Sequence, residues 1–314
     1  MSDILFSLNI TVPVFMLMII GMVFKKIGWI SDEFAKSMNK FVFLFPLPVS
    51  VFKSMATASF KEDMDFKFVL FCALTTLTMI IIGMILAKLF VRRELWGEFI
   101  QACFRSNIAL LGMSLVSSVY PNSVYGPLML LGCMPVYNTL AVVILTVFSP
   151  DTVGFEKGTG KKVLIGIAKN PIIIALVLGI AWSFLEIPYP DMLSKTVTYM
   201  ANLATPMGLM ALGATFEVKE AIGDLKPALL ASFMRVIGFC ILFIPIAVLF
   251  GYRGDAILSY TIMLGASQAI ASYTMAKNMG HRAVLTSTSL MLTTLLCGFT
   301  LTFWIYLLKV LTLI

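Results

Sequence analysis

Apolar runs of about twenty residues recur along the chain, each closed by a few charged or turn-forming positions. They can be delimited at 4-24, 38-56, 66-90, 98-120, 126-149, 167-186, 195-216, 227-250, 255-277 and 284-312. Runs of this length predict helices that cross a bilayer, so the chain reads as all-α, with ten transmembrane helices. Two segments are less regular: 38-56 is broken by Pro46 and Pro48, and 98-120 carries Arg105 and Asn107. The first run lacks a basic leading region and a small-residue cleavage site, and is expected to remain as a span.

Composition points the same way, with 60% hydrophobic and 12% charged residues, far from the mix of a soluble domain. The formal charge of +7 is a topology signal. Fifteen of the 23 Lys and Arg fall in connections after the odd-numbered runs and six on the opposite side, leaving Arg105 and Arg235 inside runs. The excess of cations on cytoplasmic loops then predicts both termini outside the cell membrane and the long connection 150-166 in the cytoplasm. No nucleic-acid partner is needed to explain the charge. Cys72, Cys103, Cys133, Cys240 and Cys297 lie in apolar runs without paired spacing, which argues against disulfides and for small buried hydrophobes. His281 is the single histidine, in a connection, and cannot build a multi-histidine metal site. No metal and no cofactor is expected.

The connection 150-166 divides the chain into related halves, 1-149 and 167-314. At an offset of 158, Pro13 meets Pro171, Gly21 meets Gly179 and Pro48 meets Pro206, in corresponding runs. Five spans per half force the second copy to enter the membrane from the other side, which makes the repeats inverted. Pro48 and Pro206 are candidate hinges or helix breaks.

The most polar runs are the fourth, "FIQACFRSNIALLGMSLVSSVY", and the ninth, which contains "IMLGASQAIASYTMAKNMG". Their small and hydrogen-bonding residues cluster near mid-span: Ser106, Asn107, Gly112 and Ser114 in one, Gly265, Ser267, Gln268, Ser272 and Thr274 in the other. Helices interrupted there would cross, aiming half-helix N-termini and their partial positive charge at an anionic ligand. Close helix packing through small residues is the competing explanation.

In order and spacing, "FVFLFPLPVSVFKSMA", "FRSNIALLG", "KNPIIIALVLGIAW", "ATPMGLMALGATF" and "GASQAIASYTMAKNMGHRAVLTSTSLMLTTLL" resemble the second, fourth, sixth, seventh, and ninth to tenth spans of the auxin efflux carrier family. The resemblance covers nearly the whole chain. It implies a sodium-proton antiporter-like fold, with a moving domain of the third to fifth and eighth to tenth spans against a scaffold of the others. It also implies a carboxylate such as malate, malonate or an auxin-like acid as substrate. Where the family often has Pro in the two crossing spans this chain has Ser114 and Ser267, so the breaks are expected to rest on Gly112, Gly265 and side-chain hydrogen bonds.

Arg105, beside Ser106 and Asn107, is read as the anion-attracting group, with snorkelling or bonds to a neighbouring helix's carbonyls as the alternative for it and for Arg235. Tyr137 and Asn138 are further polar candidates, read first as structural. No carboxylate falls near mid-span, which favours facilitated diffusion or exchange of an anion over proton or sodium coupling. A small organic anion and the lipid bilayer are the expected partners, and a homodimer is compatible with the sequence. An intramembrane serine hydrolase using Ser267 would need His281 in reach, yet 14 residues span about 20 Å of continuous helix. A solute-sensing receptor would lack any added signalling domain.

Overall fold

The computed structural model describes residues 2–57, 65–121, 123–149, 165, 166, 168–216 and 222–314. Lys61, Lys157, Lys161, Lys162 and Lys219, which enter the charge argument, and most of the connection 150-166 lie outside them.

The chain opens with α1 (Ser2–Lys26), which closes on Lys25, Lys26 and a left-handed Gly28 at φ 84°. Helix α2 (Asp32–Leu44) starts at Ser31, whose hydroxyl accepts the Phe34 amide at 3.1 Å. It stops at Phe45, because the proline that follows disfavours helix at the residue before it, and α3 (Pro46–Ala56) begins on Pro46 itself. Next come α4 (Phe66–Phe90), α5 (Trp96–Phe104), a π-helical turn Ile108–Gly112, α6 (Met113–Val119) and α7 (Tyr125–Val147).

The second half runs through α8 (Pro171–Phe184), α9 (Asp191–Asn202) and α10 (Ala204–Thr215), the last two separated at Leu203. The interruptions at Phe45 and Leu203 each lie three residues before Pro48 and Pro206, which sit in the first turn of the helix that follows. Helix α11 (Leu225–Phe233) continues through a π-helical stretch Met234–Gly238 into α12 (Phe239–Leu249). Then follow α13 (Gly254–Gly265), α14 (Ile270–Asn278) and α15 (Val284–Val310).

Among the described residues there is no strand beyond one isolated antiparallel bridge, between Ser106 and Gln268. Among the described residues, four rods are long and apolar enough to cross a membrane: Phe66–Phe90, Tyr125–Val147, Leu225–Leu249 and Val284–Val310. On α4 the residues Leu70, Leu74, Leu77, Ile81 and Ile85 are exposed at helical spacing, an apolar stripe that suits acyl chains and would be costly in water. The chain is an all-α, multi-pass membrane protein.

Small residues set the helix contacts, as expected where packing rather than burial from water drives association. A Cβ on Gly21 of α1 would lie 2.3 Å from the Met210 carbonyl oxygen of α10, and one on Gly179 of α8 would lie 2.8 Å from that of Phe52 in α3. Gly132 of α7 meets Val69 of α4 in the same way, at 2.5 Å. The five cysteines are free and buried.

A candidate site at two crossing helix breaks

After Phe104 and after Gly265 the backbone leaves the helix and turns extended: Arg105 has φ −82° and ψ 104°, Ala266 φ −67° and ψ 155°. The two extended pieces pair. Asn107 N–H donates to the Ser267 carbonyl at 2.8 Å, and Ala269 N–H donates to the Arg105 carbonyl at 3.0 Å. A third freed donor, the Gln268 amide, reaches Thr293 Oγ1 of α15 at 3.0 Å. Each break thus supplies the hydrogen bonds the other lost, which is what allows non-helical backbone at membrane depth.

The expectation that Gly112 makes the first break is corrected. The interruption lies at Arg105–Asn107, and Gly112 is helical, with φ −63° and ψ −51°. Extended backbone suits any residue, so no glycine is needed where a partner segment provides the bonds. Gly112 instead lets α13 approach, since its Cβ would lie 3.4 Å from Ile262 Cγ2. Gly265 ends α13 and packs on Leu301 and Cys240.

The crossing sorts the four helix ends by charge. Ile108, Ala109, Ala269, Ile270 and Ala271, at the N-terminal ends of the outgoing half-helices, line a cavity of ≈ 100 Å³. The same cavity is bounded by Val42, Leu47, Ser50 and Val51 of the α2–α3 pair, by Ala204 and Thr205 of α10, and by Met134, Tyr137 and Asn138 of α7. Arg105 enters it, 4% exposed. Its guanidinium donates to Asn138 Oδ1 at 2.8 Å and contacts Met275 Sδ. The Ser106 and Thr274 hydroxyls are buried on the wall with no hydrogen-bond partner. Among the described residues the lining contains no Asp or Glu. Two helix N-termini, an arginine and buried hydroxyls without partners thus meet on a mostly apolar wall.

The C-terminal ends of the incoming half-helices point the other way, toward Arg235 in its π-helical stretch. Its guanidinium donates to the Phe104 carbonyl at 2.8 Å, the Ala266 carbonyl at 3.1 Å, the Cys103 carbonyl at 3.4 Å and the Met263 carbonyl. Arg235 is 0% exposed and absent from the cavity wall, so the carbonyl-bonding alternative describes it.

Of the other residues singled out from sequence, Asn107 lines the cavity beside Ser106, while Ser267, Gln268 and Ser272 do not. Ser267 gives its carbonyl to the bridge, and Gln268 turns away so that its Oε1 accepts from Ser289 at 2.6 Å. Ser272 is fully buried with its hydroxyl unpartnered. The side chain of Ser114 lies outside the described residues. Ser50 and Thr205 escaped the sequence reading, although each stands beside one of the hinge prolines, or two positions from it.

Glu98 was missed, and His281, read from sequence as an ordinary residue of a connection, is buried. Glu98 on α5 is 1% exposed and caps α15, accepting from the amides of Ala283 (2.8 Å) and Thr286 (3.0 Å) and from the Thr286 hydroxyl (2.9 Å). His281 is 4% exposed, with Nε2 2.8 Å from the Leu145 carbonyl.

Apolar helices around a polar cavity at membrane depth are the arrangement expected of a solute carrier. The model of a family described as membrane transport protein matches the chain twice, over residues 6–156 and 155–305, and the chain belongs to that family. A Rhizobium meliloti protein provisionally named a malonate transporter is 25% identical over 96% of this chain and 95% of its own length. An uncharacterized transporter from Methanocaldococcus jannaschii is 23% identical over 73% of this chain and 75% of its own. The chain is a transporter and not an enzyme.

Proposed function

We propose that the protein is a secondary carrier for a small organic anion, a mono- or dicarboxylate of malonate or malate size, bound at the helix crossing. The observation that carries this reading is the joint presence in one cavity of Arg105, two half-helix N-termini and the unpartnered Ser106 and Thr274 hydroxyls, with no acidic residue in the lining. A carboxylate would accept from all of them, and charge-assisted bonds of this kind are the strong ones. The malonate named for the Rhizobium meliloti relative fits the same chemistry.

Alternating access would come from ten spans in two inverted five-helix repeats, 1-149 and 167-314, joined by the cytoplasmic connection 150-166. Two observations support this. The family model matches each half separately. The glycine contacts are also reciprocal: Gly179 stands 158 residues after Gly21, and Met210, which faces Gly21, stands 158 after Phe52, which faces Gly179. Both termini would be outside the plasma membrane. With no mid-membrane carboxylate in the cavity lining, the anion would move down its own electrochemical gradient, a monoanion leaving the cell gaining about 2.3 kcal/mol per 100 mV.

Thermal stabilisation of the purified protein across a panel of mono- and dicarboxylates tests the reading. A ligand at 100 times its dissociation constant adds about 2.7 kcal/mol of stability. The expected result is a shift with at least one acid that Arg105→Ala reduces. An undiminished shift in Arg105→Ala, or none with any acid, would remove the carboxylate assignment.

A further inference from the structure

The C-terminal ends of α5 and α13 converge on one point inside the protein, and each end carries partial negative charge on carbonyls that its own helix leaves unpaired. Discontinuous helices in transporters commonly use such ends, with unwound carbonyls, to hold a free monovalent cation. Here the point is filled by a side chain. Arg235 spends four N–H groups on four carbonyls, two from each half-helix, and among the described residues no carboxylate pairs with it. A buried guanidinium without an anion is costly unless the field around it is negative, and the two converging helix ends provide that field.

We propose that Arg235 is a tethered cation in a cation site formed by the Cys103, Phe104, Met263 and Ala266 carbonyls. It is a positioning residue: it does not itself line the anion cavity, and it holds the two half-helix ends together so that the opposite ends stay aimed at the substrate. The carrier therefore needs no free sodium at the crossing, and removing the guanidinium leaves a vacant site selective for small monovalent cations. The π-helical stretch Met234–Gly238 supports this assignment, since such bulges are used to aim one functional side chain out of helical register.

The test is melting of wild type, R235A, R235Q and R235K in rising guanidinium, sodium or potassium chloride, with choline chloride at equal ionic strength as control. Wild type should show no cation-specific shift. R235A and R235Q should melt lower and regain stability saturably with guanidinium or one alkali cation but not with choline. R235K should fold and resist the same cations. The proposal is overturned if the neutral variants melt like wild type, if no small cation stabilises them, if wild type itself takes up sodium saturably, or if R235K fails to fold. That last result would make the planar fork, and not the charge, the essential property. Because no carboxylate enters the measurement, failure here leaves the anion-site reading standing, and failure of that reading leaves this one.

Discussion

Arg105 donates to Asn138 Oδ1 at 2.8 Å, and this bond fixes the one cation among the described lining residues to the middle of α7. Asn138 is itself anchored, its amide donating to the Met134 carbonyl at 3.1 Å, so the guanidinium is held by a side chain that cannot swing freely. Asn138 was read from sequence as a structural residue. Its position makes it the group that decides where the positive charge points, and a neutral partner leaves that charge available to an anion.

Replacing Asn138 by Asp should therefore abolish anion binding while keeping or raising thermal stability, because an ion pair with Arg105 would neutralise the site. Arg105→Ala should weaken binding by about 10- to 100-fold, the cost of losing a charged hydrogen bond worth roughly 1.5–3 kcal/mol. Calorimetric titration with the acid that stabilises the wild type checks both. Unchanged affinity in Asn138→Asp would mean the anion does not meet Arg105.

The glycine contacts give a second prediction. Ala at Gly21 or Gly213 would place a Cβ 2.3 Å from the Met210 carbonyl oxygen or 2.0 Å from that of Met18, so α1 and α10 must separate. Overpacking of this kind costs about 1–3 kcal/mol, more where backbone must move. Gly223, with nothing within 4 Å, is the control, and its Ala variant should melt like wild type. Equal melting of all three variants would sink the close-contact account.

Glu98 yields a third. Its carboxylate satisfies three donors at the start of α15, where Ala283 is held at φ 62°, so the cap fixes both the loop and the helix N-terminus. Glu98→Gln keeps one acceptor and brings in two donors, and should cost about 1.5–3 kcal/mol. Faster amide exchange confined to 281–287 is the expected signature, and uniform exchange would contradict it.

How far the sequence reached depended on where each signal lived. The polar clusters in the fourth and ninth runs pointed to two interruptions, because hydrogen-bonding residues are rare in lipid without a reason. The residues that face the cavity were harder. The bridge pairs Ser106 with Gln268, and which side chains of the two extended pieces face the cavity depends on that pairing, which no sequence offset displays. Ser267, Gln268 and Ser272 then rotate away from the wall that Thr274 joins. The polar neighbours Ser106 and Asn107 set Arg105 apart in the sequence, but nothing marked the role of Arg235, whose partners are backbone carbonyls, which every sequence has. Glu98 escaped because a buried cap depends on a helix nearly two hundred residues away.

The last prediction concerns which side of the membrane the cavity can open to. Two polar ties join α14 to the helices proposed as scaffold: Asn278 Nδ2 donates to the Asn39 carbonyl at 3.3 Å, and the Tyr273 hydroxyl is hydrogen-bonded to Thr215 Oγ1. In the proposed topology Asn278 and Thr215 stand at the cytoplasmic ends of α14 and α10, so the two ties would hold the inner side shut. Removing them with Tyr273→Phe and Asn278→Ala should raise the population open to the cytoplasm, since even 1.4 kcal/mol moves a two-state ratio tenfold. A cysteine at Thr274 reports this, because the five native cysteines are buried and give little background. Labelling by an impermeant thiol reagent should quicken in inside-out vesicles of the double variant and not in right-side-out ones. Quicker labelling from the opposite face would reverse the topology, and no change would show that the ties do not hold the gate.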